Sequence, residues 1–178
     1  MEKGTAFCLY RDIAERTDGD VYIGVVGPVR TGKSTFIARF MEELVLPHMQ
    51  PGPKKDRLLD ELPQSGSGKT IMTTQPKFVP SEAAQVFLQE QTAVRVRMVD
   101  SVGYLVEGAL GTEEDGASRM VHTPWFDYDI PFEQAAEIGT RKVITDHATI
   151  GLVVTTDGSI ADLSREAYQP PEERVVRE

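Results

Sequence analysis

Gly27, Gly32, Lys33 and Ser34 stand in the spacing G-x-x-x-x-G-K-[ST], the arrangement in which successive backbone N–H groups wrap a chain of phosphates at the start of a helix. The residue types divide the work. Glycines let the backbone come close to the ligand and adopt positive φ, a lysine ammonium reaches the β and γ phosphates, and a serine hydroxyl takes one position on Mg²⁺. The residues from Gly27 to Thr35 (Pro28, Val29, Arg30, Thr31, Gly32, Lys33, Ser34 and Thr35 after the first glycine) would line those phosphates. A second acid completes the set. Asp100-Ser101-Val102-Gly103 fits D-x-x-G, and an aspartate at the carboxyl end of a strand beside such a loop is placed to hold Mg²⁺ directly or through water. Gly103 N–H is suited to meet the γ phosphate.

Both motifs need strands to position them, and the surrounding sequence supplies the pattern. V-Y-I-G-V-V before Gly27 reads as an apolar strand, and Phe36, Ile37, Phe40, Met41, Leu44 and Val45 recur at helical spacing after it, with Pro47 as the stop. An ordinary strand-turn-helix would explain the apolar pattern alone, but not the four fixed positions between its parts. Val94, Val96 and Met98 alternate into Asp100 as a second strand.

Elsewhere the signals are weaker. Residues 1–20 contain I-A-E-R-T-D-G-D, a candidate short amphipathic helix closed by a turn. His48 to Met72 is polar, rich in Pro and Gly, and reads as one long loop. G-S-G-K-T within it, Gly66 to Thr70, imitates a second phosphate loop, but Pro63 occupies the place of the first glycine and Pro76 prevents a long helix. Lys77–Val79 and Val86–Leu88 are separate strand candidates. Residues 104–131 read as a second loop, Phe132 to His147 as a helix, and Ala148 to Thr155 as a strand buried on both faces. P-E-E-R-V-V-R-E suggests the start of a last helix. Strands alternating with helices give an α/β doubly wound sheet.

Composition narrows the classes. The 178 residues are long enough for one domain with a core, and a net charge of −9 argues against sequence-independent binding to nucleic acid or to an anionic membrane surface. No apolar run reaches the length of a membrane span, and the N-terminus does not have the pattern of a signal peptide, so a cytosolic location is expected. Cys8, the only cysteine, excludes an internal disulfide, and His48, His122 and His147 lack ligand spacing. Arg119, Arg141 and Lys142 read as solvated surface, with subunit or phosphate contacts as the alternative.

Longer segments carry a resemblance. P-V-R-T-G-K-S-T-F-I, D-E-L-P-Q-S, G-K-T-I-M-T-T-Q-P-K-F-V-P, V-D-S-V-G-Y, T-P-W-F, P-F-E-Q-A-A-E-I-G-T-R-K-V-I, T-I-G and T-T-D-G-S-I look like the stage IV sporulation protein A family of spore-coat morphogenetic ATPases. The resemblance implies a P-loop fold related to the translation-factor GTPases, with ATP and Mg²⁺ as ligands. It implies hydrolysis coupled to self-assembly around the forespore in the mother-cell cytoplasm. The implied partners are further copies of the chain, other spore-coat proteins and a small amphipathic membrane peptide, stage V sporulation protein M. Contact with the forespore membrane would be indirect, and no nucleic acid is implied.

It also implies more chain. The sequence has no asparagine, so the N-K-x-D base-recognition motif of related GTPases is not within it, and the 178 residues are read as an N-terminal, C-terminally incomplete P-loop domain. The middle and C-terminal assembly and anchoring regions would lie outside it.

Three further assignments follow from the resemblance. Thr73 and Thr74 match the first switch, where a threonine closes over the γ phosphate and Mg²⁺; on residue type alone, β propensity is the better explanation of the pair. Arg30 stands where cation-dependent relatives carry a potassium-binding asparagine, and its guanidinium would supply charge near the α and γ oxygens, solvent-facing arginine being the alternative. Tyr104 replaces the water-orienting glutamine of related switches. A phenol cannot do that work in the same way, so slow basal hydrolysis is expected, with a nucleotide-gated scaffold and a GTP-using switch as alternatives.

Overall fold

The structure is a computed structural model that describes residues 19–63, 75–88, 92–109, 111–114, 116–156 and 163–178. The candidate N-terminal helix, Cys8, the Gly66–Thr70 segment, Thr73 and Thr74 lie outside the described residues.

Among the described residues four strands form the main sheet. They are β1 (Asp20–Val26), β2 (Lys77–Leu88), β3 (Thr92–Asp100) and, four short strands later, β8 (Ile150–Val153). Their order is β2-β3-β1-β8, with β2 antiparallel to β3 and the other pairs parallel. Parallel register pairs Val25 with Asp100 and Val26 with Val153, so the carboxyl ends of β1, β3 and β8 meet at one edge. That edge of a parallel sheet is where α/β folds bind ligands.

Both faces of the sheet are covered, because side chains alternate along each strand. On one face, Val25 and Met98 pack with Ile37, Met41 and Val45 from helix α1 (Lys33–Phe40) and the wider turn Met41–Val45 that continues it, and with Leu58 of α2 (Pro53–Glu61). On the other face, Val26 and Val99 pack with Val143, beyond helix α3 (Phe132–Lys142), and with Val175 of α4 (Arg165–Arg177). Gly24 makes that second contact possible. A Cβ there would lie 2.7 Å from the Ala148 Cβ and 3.0 Å from Val143 Cγ1.

Phe132, Ala135, Ala136, Gly139 and Thr140 form the buried stripe of α3, a clean three-and-four spacing. Gly139 carries no side chain because Trp125 and Pro76 sit against it; a Cβ would be 3.1 Å from each. In α4, Ser164 caps the N-terminus by accepting from Ala167 N–H, and Tyr168, Pro171 and Val175 point inward. The short pairs β4 (Glu113–Glu114) with β5 (Ala117–Ser118), and β6 (Met120–Val121) with β7 (Ile130–Pro131), lie between β3 and α3.

Several expectations need correction. Part of the polar stretch after His48 is helical: Gly52 and Pro53 start α2, although Leu58 is its only fully buried side chain. Lys77–Val79 and Val86–Leu88 belong to one strand, β2, whose register shifts between Val79 and Ala84. Residues 104–131 are not one unbroken loop. Pro47 does not terminate the first helical run, which passes through Met41–Val45 into a tight turn over Leu46–His48 with Pro47 inside it. Leu44, expected on the buried stripe, is 57 % exposed because the wider turn rotates it off the face. β8 is not buried on both faces. Among the described residues it borders only β1, and Ile150 and Val153 are 43 % and 46 % exposed.

Candidate functional site

β1 ends at Val26 and the chain enters the loop Gly27–Gly32 at the carboxyl edge of the sheet. Gly27 has φ 144°, and a Cβ on it would fall 2.2 Å from the Val154 carbonyl oxygen, so only glycine fits beside the end of β8. Arg30 is a non-glycine residue with positive φ, 63°, and Gly32 has φ 89° as the cap of α1. Two left-handed residues separated only by Thr31 curl the loop tightly at the start of α1. Thr31 Oγ1 donates to the Pro28 carbonyl at 3.1 Å, and Phe36 N–H to that of Gly32 at 2.8 Å, closing the loop onto the helix.

Lys33 is the first residue of α1 and is buried. Its ammonium donates to the Pro28 carbonyl at 2.6 Å, inside the curl of the loop. Burial lowers its pKa from the ordinary value near 10.5 to about 8, partly offset by the negative charge of Asp100. Ser34 follows, and its hydroxyl donates to Asp100 Oδ2 at 2.6 Å. Asp100 itself is buried, which raises its pKa in spite of the Ser34 hydrogen bond and the nearby Lys33 and Lys77 charges. Its other oxygen, Oδ1, is buried with no hydrogen-bond partner. Both groups are therefore pushed toward neutrality, as expected for a site built to be filled by opposite charge.

These donors fit Mg²⁺. A hydroxyl and a carboxylate already in contact, with one carboxylate oxygen left without a partner, match an ion that takes one or two protein oxygens and completes its shell with water and phosphate. Among the described residues no three His, Cys, Asp or Glu side chains converge as a cage, and this kind of site does not require one.

The segment after Asp100 is held from three sides. Ser101 Oγ donates to the Val25 carbonyl at 2.8 Å. Gly103 has φ 99°, and a Cβ on it would lie 2.5 Å from the Gly27 oxygen and 2.6 Å from the Lys33 ammonium, so its backbone is pressed against the loop. Its N–H donates to Thr140 Oγ1 of α3 at 2.9 Å in a buried contact. Tyr104 bridges backbone to backbone with Pro28, and its carbonyl accepts from Val29 N–H at 2.9 Å. The Tyr104 ring is buried against Val26, Val99 and Val143, its hydroxyl donates to the Glu178 carboxylate, and the Arg174 guanidinium lies 4.4 Å from the ring centre.

Of the residues singled out by sequence, the structure brings Gly27, Pro28, Val29, Arg30, Thr31, Gly32, Lys33, Ser34, Asp100 and Gly103 to one place; Thr35 follows in α1 with an exposed side chain. Val29 directs its side chain into the cluster around Tyr168, and the charge of Arg30 is near enough to that phenol to favour its ionisation, although burial raises the pKa overall. Thr140, Arg174 and Glu178 were not visible as site neighbours in the sequence. Each acts across tens of residues, and no local pattern marks them.

The comparisons with known proteins bear on the same region. Residues 4–178 match the family described as stage IV sporulation protein A, ATPase domain. The chain belongs to the stage IV sporulation protein A family. Over 170 residues this ATPase domain is 61 % identical to stage IV sporulation protein A of Clostridioides difficile strain 630, 57 % to that of Bacillus subtilis strain 168 and 56 % to that of Bacillus anthracis. Each alignment covers 96 % of this chain but 35 % of the relative, so the chain spans about a third of the length of the curated relatives it matches. No solved structure matches it. Among the described residues no helix is long and apolar enough to cross a membrane.

Proposed function

We propose that this domain binds ATP with Mg²⁺ in the loop Gly27–Thr35 and hydrolyses the γ phosphate, as a P-loop NTPase with a doubly wound sheet of the translation-factor-related type. The observation that carries the reading is the Ser34–Asp100 contact beside a buried Lys33, with Asp100 Oδ1 left unpartnered. The sheet order β2-β3-β1-β8, with the acid-bearing strand next to the loop-bearing strand, supports the fold assignment.

Phosphoryl transfer asks for positioning and charge neutralisation more than covalent chemistry. Lys33, once the Pro28 carbonyl releases it, reaches the β and γ oxygens. Ser34 and Asp100 would hold Mg²⁺, which would neutralise phosphate charge. The loop amides would hold the remaining oxygens, Arg30 would add positive charge, and the proposed role of Thr73 and Thr74 is to contact the γ phosphate, with Thr74 a further ligand for the ion. Turnover coupled to self-assembly of the spore-coat basement layer would then involve the rest of the full-length protein. Further copies of the chain, other coat proteins and the small peptide stage V sporulation protein M are its proposed partners, at the forespore surface in the mother cell.

The burial of Tyr104 favours a second reading, a nucleotide-gated scaffold in which binding orders the site and hydrolysis is slow. Its phenol is committed to Glu178, so no side chain at that position orients water. Measuring Mg²⁺-dependent turnover and the affinities for ATP and GTP, on this chain and on the full-length protein, separates the readings. ATP preference with turnover supports the ATPase; equal or tighter GTP binding overturns the choice of nucleotide. Tight ATP binding without turnover leaves the scaffold. Arg30→Ala with unchanged turnover and no new potassium requirement would remove Arg30 from the mechanism.

A further inference from the structure

The Gly103 amide is a group at the site that a γ phosphate could use and that a protein side chain occupies. Its backbone lies against the Lys33 ammonium and the Gly27 carbonyl, with no room for a Cβ, so it borders the position of the terminal phosphate. Its N–H is nevertheless given to Thr140 Oγ1 at 2.9 Å, and Thr140 is completely buried. A buried amide needs a partner, and leaving one unmade costs more than a hydrogen bond returns. Two acceptors therefore compete for one donor: a neutral hydroxyl fixed on α3, and a charged phosphate oxygen that forms the stronger hydrogen bond. The peptide before a glycine at φ 99° can turn between them at low steric cost.

We propose that Thr140 is a positioning residue that sets the discrimination between ATP and ADP, by holding the Gly103 amide until a γ phosphate takes it. This rests on the nucleotide-binding reading given above. ADP, lacking the third phosphate, leaves the amide on Thr140. ATP draws it away and leaves the Thr140 hydroxyl to bond elsewhere, for example back to its own helix. The helix register is suited to transmit the change. Thr140 adjoins Gly139, the contact point for Trp125 and for Pro76, the latter two residues after Thr74.

The test is the ratio of affinities for a non-hydrolysable ATP analogue and for ADP, measured by calorimetry on the wild-type chain and on Thr140→Val and Thr140→Ser. Valine keeps the shape and removes the competitor; serine keeps the hydroxyl. Thr140→Val is expected to favour the analogue over ADP by a further fivefold or so, and Thr140→Ser to retain the wild-type ratio. Equal changes for both nucleotides, or no change in Thr140→Val, overturn the proposal. If Thr140→Val does not fold, the wild-type chain decides: the Gly103 amide resonance should shift with the analogue and stay in place with ADP. Identical behaviour with both ligands overturns the proposal. A wild-type chain that binds neither nucleotide fails earlier, at the nucleotide-binding reading itself.

Discussion

Aliphatic side chains close the face of the sheet under α1 and α2: Val25, Ile37, Met41, Val45, Leu58, Val79 and Met98 are buried together without a polar group among them. The opposite face, under α3 and α4, is closed by a mixture. Tyr104 lies among valines, Thr140 accepts from the Gly103 amide, and Arg174 and Glu178 reach the Tyr104 ring and hydroxyl, while Tyr168 belongs to an adjoining cluster with the buried stripe of α3. The first arrangement is non-directional and tolerates only one packing state well. The second contains donors and acceptors that can exchange partners. The difference separates a supporting face from a responding one, with the loop Gly27–Gly32 at the edge they share.

The largest expected effect lies at that shared edge. Lys33→Ala removes the only buried ammonium in the loop and should lower ATP turnover by about a hundredfold or more; a variant within a few-fold of wild type in a phosphate-release assay would mean that the loop is not the catalytic one. On the supporting face, Leu58→Ala should cost about 2–5 kcal/mol of stability by leaving a cavity between α2 and β2. Its ratio of ATP to ADP affinity should not move. If that ratio changed, the two faces would not be functionally distinct, whatever the loss measured by denaturant melts.

The pH dependence follows from the pKa of Lys33, about 8 instead of 10.5. The folded chain releases this proton before the unfolded chain does. The unfolded state therefore binds more protons between about pH 8 and 10.5, and this group's contribution to stability rises through that window. Phosphate favours the charged ammonium, so nucleotide binding above pH 8 should take up a proton, and affinity should fall as pH rises. Calorimetry at pH 8.5 in buffers of different ionisation enthalpy reads the proton directly; no uptake would place the lysine away from the phosphates. The smallest effect belongs to Tyr104→Phe, which removes the hydroxyl given to Glu178. About 1 kcal/mol of stability should be lost with turnover altered less than threefold. A collapse of turnover would restore Tyr104 to the chemistry.

What the sequence made legible divides along similar lines. The loop and Asp100 were readable because their requirements are local: a strand, glycines where φ must be positive, then a helix, all within consecutive residues. α2 was missed because one buried leucine among K-K-D-R gives no period, and only Gly52-Pro53 marked its start. Leu44 was misplaced because a wider turn after Phe40 breaks the three-and-four spacing. β8 looked fully buried because composition does not reveal which strand borders an edge. The Thr140 contact joins positions 37 residues apart, and Tyr104 and Glu178 are 74 apart; such pairs exist only once the chain has folded.

The packing of Trp125 against Gly139 and Pro76 has a practical consequence. It is the only tryptophan in the sequence, and its indole edge rests one residue from Thr140. Any rearrangement of α3 on nucleotide binding would alter the polarity around that ring. Intrinsic emission excited at the red edge of the protein band would then follow occupancy of the site in real time, with no dye attached and no residue replaced.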